Sequence, residues 1–160
     1  MRPTPFVLCL AAGCAALSRS APVPPEVAEL AGCYAMEYGA WGPEIGNGQL
    51  RSPADLPTAI RLGTALSGWR EGRRGPSIGY AVHTLTPASS RAGEFQAWNL
   101  VGKDSVWAGI PVLGGFALHL RREGAELRGE VEAYTDDLNG PGASETRTTA
   151  TARRISCASS

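Results

Sequence analysis

Short apolar segments recur along this chain at fairly even spacing, separated by clusters of glycine and proline, and no internal segment keeps a helical apolar period without meeting a breaker. That punctuation predicts an all-β domain. The strongest element is a hairpin over 116–133. Phe116, Leu118 and Leu120 alternate with Ala117, His119 and Arg121, and beyond a turn Leu127, Val131 and Ala133 alternate with Arg128, Glu130 and Glu132. With Glu123-Gly124 as a two-residue turn, Leu120 falls opposite Leu127, Phe116 falls opposite Val131, and Arg121 meets Glu126 on the other face. A face so charged must look to water, so the apolar set looks inward. In this register Gly129 lies across from Leu118 and leaves a gap in the inward face.

Further strands are expected over 33–40, 57–64, 78–86, 94–101, 105–110 and 145–157, the last rich in Thr as strands wetted on one side often are. One helical turn or two is expected over 25–31, with Pro25 suited to the first turn and Gly32 to the C-terminal cap. The hairpin brings the total to about eight strands with short connections, which suits an antiparallel up-and-down barrel or, alternatively, a β-sandwich.

The first residues do not belong to this pattern. Arg2 supplies a positive start, 6–17 form an apolar run too short to span a bilayer, and Ser18-Arg19-Ser20 puts small residues where a signal peptidase reads. This predicts a signal peptide over 1–20, with Ala21 as the new N-terminus. A second route also fits, because Leu10-Ala11-Ala12-Gly13-Cys14 has the form of a lipobox, and cleavage after residue 13 would leave Cys14 as a lipid-anchored N-terminus. Residues 21–31 then form a linker and short helical turn, and 32–158 a single barrel domain. Its size is that of a common single domain, large enough to bury a core. The protein is therefore expected outside the cytoplasm, secreted, periplasmic or lipid-anchored in the envelope, with no membrane span after the leader.

Of the four cysteines, Cys9 and Cys14 lie in the leader, so the mature chain keeps Cys33 and Cys157. In an oxidising compartment such an isolated pair is most simply a disulfide. Its Cα atoms must then approach within about 7 Å, which makes the first and last strands neighbours. In an up-and-down meander that adjacency closes the barrel and removes both free edges. The formal net charge is zero and the arginines are scattered, so no nucleic-acid footprint is expected.

Leu30-Ala31-Gly32-Cys33-Tyr34, a short helical turn running into a first strand, resembles the start of the lipocalin-like (calycin) barrels, where Gly-x-Trp is usual. Here Tyr34 stands in place of Trp, and no long C-terminal helix follows. The resemblance implies that Arg153 or Arg154 in the final strand packs against that aromatic. It also implies a barrel whose interior takes a small apolar ligand. The residues expected to face that ligand are Phe116, Leu118, Leu120, Leu127 and Val131, with Trp107 and Tyr80 reaching in from neighbouring strands. The alternative is a structural or inhibitory envelope protein whose interior those aromatics fill.

No enzymatic constellation emerges, and neither a cofactor nor a metal is expected. Gly75-Pro76-Ser77-Ile78-Gly79 has the spacing of a nucleophile elbow, but a strand-like run follows where a helix is needed, so Ser77 reads as a loop residue. Asp136-Asp137-Leu138-Asn139-Gly140 lacks the spaced acids and terminal glutamate of a calcium loop and reads as a turn. His119 lies on the charged face of the hairpin, and His83 has no assigned neighbour. Trp69, Arg70, Arg73 and Arg74 read as a solvated loop.

Overall fold

Two consecutive prolines start the one helix among the described residues, α1 (Pro25–Leu30): Pro24 takes the N-cap position and Pro25 the first turn, where a missing N–H costs nothing. We describe a computed structural model over residues 22–50, 54, 56–68, 79–85, 95–109, 114–136 and 142–157. The leader, with its cleavage sites and Cys14, lies outside these residues. Val27 and Leu30 are the buried face of α1, which ends at Ala31 in extended conformation. Gly32 is therefore not a left-handed helix cap. It is the first residue of β1, and its φ of 151° is one that glycine adopts freely. A Cβ there would also sit 3.2 Å from the Arg154 guanidinium.

The strands are β1 (Gly32–Tyr38), β2 (Ile45–Gly46), β3 (Ala59–Leu66), β4 (Tyr80–Thr84), β5 (Ala97–Val101), β6 (Ser105–Gly109), β7 (Gly114–Glu123), β8 (Glu126–Asp136) and β9 (Ala143–Ile155). Every neighbouring pair is antiparallel, in the order β1-β3-β4-β5-β6-β7-β8-β9, and β9 returns to β1. The result is a closed up-and-down barrel of eight strands, with β2 as an extra strand that the sequence pattern did not reveal. β2 is short and extends the path of β1. Between them, Gly39 and Gly42 donate backbone N–H groups to the carbonyls of Thr149 and Arg147, and β2 then pairs with β9 through Ile45 and Glu145.

Cys33 and Cys157 form a disulfide across the β1–β9 seam, with their Cα atoms 5.3 Å apart. Cys33 is itself paired with Ile155, two residues before Cys157, so the bond sits at the end of the ladder that closes the barrel.

The hairpin register departs from expectation by two residues. The turn is Gly124-Ala125, flanked by the pair Glu123 and Glu126. Gly124 has φ 63° and no non-glycine residue among those described has positive φ, so glycine occupies the first central position, as a type II′ turn requires. A shift of two keeps every side chain on its expected face but changes its partner. Phe116 lies opposite Ala133, Leu118 opposite Val131, and Leu120 opposite Gly129. Arg121 faces Arg128 instead of Glu126, and His119 faces Glu130. The charges find other partners. Arg121 binds Asp104 of the β5–β6 turn at 3.0 Å, while Glu126 is gripped by Arg128 at 2.7 Å and by Arg153 at 2.8 Å.

The inward gap expected at Gly129 does not exist. A Cβ on Gly129 would collide with the carbonyl oxygen of His119, because the β7 backbone closes over that position. Glycine is required here by a close approach between strands.

Candidate functional site

The alternation along each strand decides which side chains share the interior. Tyr34, Met36, Ile60, Leu62, Val82, Trp98, Val106, Ala108, Phe116, Leu118, Leu120, Leu127, Val131, Ala133, Ala150 and Ala152 form one buried cluster. Large and small side chains sit side by side around the wall: Trp98 of β5 is paired with Ala108 of β6, and Phe116 of β7 with Ala133 of β8. The five expected ligand-facing residues of β7 and β8 all belong to this cluster, and Phe116, Leu118 and Val131 are 0% exposed. Tyr80 also faces inward, half-buried, with its ring 5.3 Å from that of Trp98. The Trp98 indole N–H donates to the Gly63 carbonyl at 2.8 Å, which satisfies the polar atom of a wholly buried side chain.

Both ends of this interior are covered. At one end stands α1, with Leu30 pointing into the cluster. Arg154 fastens it: one guanidinium nitrogen donates to the carbonyls of Glu29 at 2.8 Å and Ala31 at 2.6 Å and to the Tyr34 hydroxyl at 3.3 Å. Its guanidinium carbon lies 5.6 Å from the centre of the Tyr34 ring. Tyr34 in turn donates to the Leu30 carbonyl at 2.7 Å, and Arg122 binds Glu29 at 3.0 Å. Of the two arginines expected to pack on the first-strand aromatic, Arg154 does so and Arg153 points outward to Glu37 and Glu126.

At the other end the β1–β3 connection folds over the mouth. Trp41 packs on Phe116 with ring centres 6.3 Å apart, and Leu56 is buried. The Thr148 hydroxyl donates to the Ala40 carbonyl at 2.9 Å, and the Tyr38 hydroxyl donates to the Pro57 carbonyl at 2.8 Å. Burial raises the Tyr38 phenol above the usual tyrosine range, since a phenolate there would lose its hydration.

The outer wall holds a feature that sequence reasoning missed. Trp107 alternates with the buried Val106 and Ala108 and therefore points outward, not into the interior as expected. Its indole lies over Gly109, where a Cβ would stand 2.9 Å from Cζ2. Gly109 is paired with Ala97 on one side and Ala117 on the other, and both alanines are buried although they lie outside the core cluster. A row of small residues thus forms a shelf for the indole. Beyond it opens a groove of about 650 Å³. Trp107, Ala117 and Tyr134 line its wall, Ile45 and Glu145 its far side, and His119 and Glu132 its edge. Arg147 reaches Glu132 at 3.4 Å and Glu145 at 3.7 Å but does not line the groove.

No family model, curated protein or solved structure matches this chain.

The remaining sequence candidates do not converge on a site. His83 and His119 are both exposed and lie on different strands. Ser77, Trp69, Arg70, Arg73, Arg74 and the 137–140 turn lie outside the described residues, and Asp136 ends β8. Among the described residues no three His, Cys, Asp or Glu side chains gather as a metal would need, and no helix is long and apolar enough to cross a membrane.

Proposed function

We propose that this is an exported, non-catalytic barrel of lipocalin-like architecture whose packed interior makes it a structural or inhibitory module of the cell envelope. The observation that carries this reading is the interior itself. A side chain with no exposure touches no void large enough for a water molecule, and that holds for Trp98, Phe116, Leu118, Val131 and Ala133 from three strands. The lipocalin-like part rests on the eight-stranded closure, on α1 over one end, and on the Arg154 clamp over Tyr34. Export rests on the leader pattern and on a disulfide that suits an oxidising compartment.

One observation favours a second reading, a carrier of a small apolar ligand in the interior. The mouth is closed by a connection, not by a strand, and its Trp41 remains half-buried against Phe116. Displacing that connection would uncover apolar surface lined by small residues of β9.

Native mass spectrometry of the protein isolated from the envelope of an expressing bacterium, after exposure to lipid extract, tests both readings at once. The proposal expects a chain beginning at Ala21, or at a diacylated Cys14, with no stoichiometric adduct. One-to-one apolar adducts that Trp41→Ala retains less well than the parent would transfer the conclusion to the carrier. A full-length chain still bearing residue 1 would overturn export.

A further inference from the structure

We propose that the Trp107 groove on the outer wall is a binding site for a small organic cation of the alkylammonium type. This does not depend on whether the interior is packed or open, because the groove lies on the opposite side of the sheet.

The size is the first argument. A volume of about 650 Å³ lies within the range of roughly 300 to 1,000 Å³ typical of small-molecule sites. The wall is the second. Trp107 is pressed on one side against Gly109, so the groove meets a flat aromatic surface backed by rigid sheet, with Ala117 and Tyr134 continuing it. Aromatic faces carry partial negative charge and attract cations, tryptophan most strongly. The third argument is charge. Glu132 and Glu145 both line the groove, and among the described residues no lysine or arginine does. Arg147, the cation within reach of both, holds them only at 3.4 and 3.7 Å. Carboxylates beside an aromatic face form the environment that a compact, weakly hydrated cation prefers. The hydroxyls of Tyr134, Thr135 and Ser144 also line the groove but carry no charge, so the two carboxylates are what favours a cation over a neutral ligand.

The site is built by the fold. The pairs Trp107 with His119, Ala117 with Glu132, Tyr134 with Glu145, and Glu145 with Ile45 set neighbouring outward positions from five strands side by side. β2 supplies the far side of the groove, which gives the extra strand a role that barrel closure does not.

Titration of the isotope-labelled protein with tetramethylammonium chloride, followed by amide and indole NMR, tests the proposal, with sodium chloride and glucose as matched controls. Saturable shifts are expected at the Trp107 indole N–H and the amides of Ala117 and Tyr134, with a Kd of about 1 to 10 mM. The double variant Glu132→Gln/Glu145→Gln should weaken binding about tenfold, and Trp107→Leu should abolish it while resonances from the interior stay in place. If Trp107→Leu is not folded, the glutamine variant alone decides. Equal shifts with sodium chloride or glucose, absence of saturation, or an unchanged Kd in the folded variants would each overturn the assignment.

Discussion

Breaking the Cys33–Cys157 disulfide should cost this barrel a large share of its stability while leaving its native structure in place. The bond links residues 124 apart in sequence. Releasing a loop of that length returns about 5 kcal/mol of conformational entropy, as free energy, to the unfolded chain in the loop-closure account. A domain of this size has about 5 to 15 kcal/mol in total, so the loss is a third or more. The folded state, in contrast, does not need the bond to hold its seam. β1 and β9 share six register pairs from Cys33 with Ile155 to Tyr38 with Ala150, and Arg153 binds Glu37 across them at 2.7 Å. Comparing the oxidised and reduced forms of one chain avoids the packing change a substitution at the buried Cys33 would bring, and Cys157 is exposed to reductant. Urea unfolding followed by tryptophan fluorescence should show the midpoint falling by about 2 to 4 M on reduction, with m rising because the opened chain exposes more surface. Without urea the two forms should give matching near-ultraviolet circular dichroism. A midpoint change below about 0.5 M at constant m would refute the entropic reasoning, and a reduced form already unfolded without urea would show that the seam depends on the bond.

Two further outcomes follow from the interior. Gly129→Ala should destabilise the barrel by about 1 to 3 kcal/mol, since its Cβ meets the His119 carbonyl and the β7 and β8 backbones must part; a thermal melt unchanged from the parent would show that the approach relaxes freely. Tyr38, whose phenol burial raises, makes the folded state hold its proton above the unfolded value of about 10; that stability is complete below this pH and drains away as pH climbs past it. Tyr38→Phe should flatten the alkaline loss in a series of urea melts from pH 8 to 11, and an equally steep loss in the variant would assign it elsewhere.

The extent to which the fold was legible in the sequence can be traced through the hairpin. Alternation settles which face each residue takes, and that survived into the structure for every position from Phe116 to Ala133. Alternation says nothing about pairing partners, because a slide of two residues leaves both faces intact. Only the turn fixes the register, and there the choice between Glu123-Gly124 and Gly124-Ala125 rested on where the glycine sits within the turn. The charge pair of Arg121 with Glu126, which made the first choice attractive, carried little weight because exposed ion pairs contribute weakly and re-form with whatever is near. Arg121 took Asp104 and Glu126 took Arg128. The disulfide was a better guide, since a covalent constraint acts over the whole chain. It placed β1 beside β9 and thereby closed the barrel.

The outer groove stayed hidden for a related reason. In Ser105-Val106-Trp107-Ala108-Gly109 three apolar residues run together, so the pattern does not choose a face, and reading the largest residue as the buried one sends Trp107 inward. The structure sends it outward because the inward positions of β6 face a space already filled by Trp98 and Leu118, where Val106 and Ala108 fit and an indole does not. Room for an indole exists only outside, over Gly109, between Ala97 and Ala117. Those three small residues come from three strands whose alignment depends on registers that local pattern does not fix. The signal was therefore present in the sequence as an absence of side chains, spread over 97, 109 and 117, and it becomes readable only when the ladder sets them in one row. Sites built from such rows on the outside of a barrel escape a search for chemistry-bearing residues, since what makes them is the space left by glycine and alanine beside one aromatic ring.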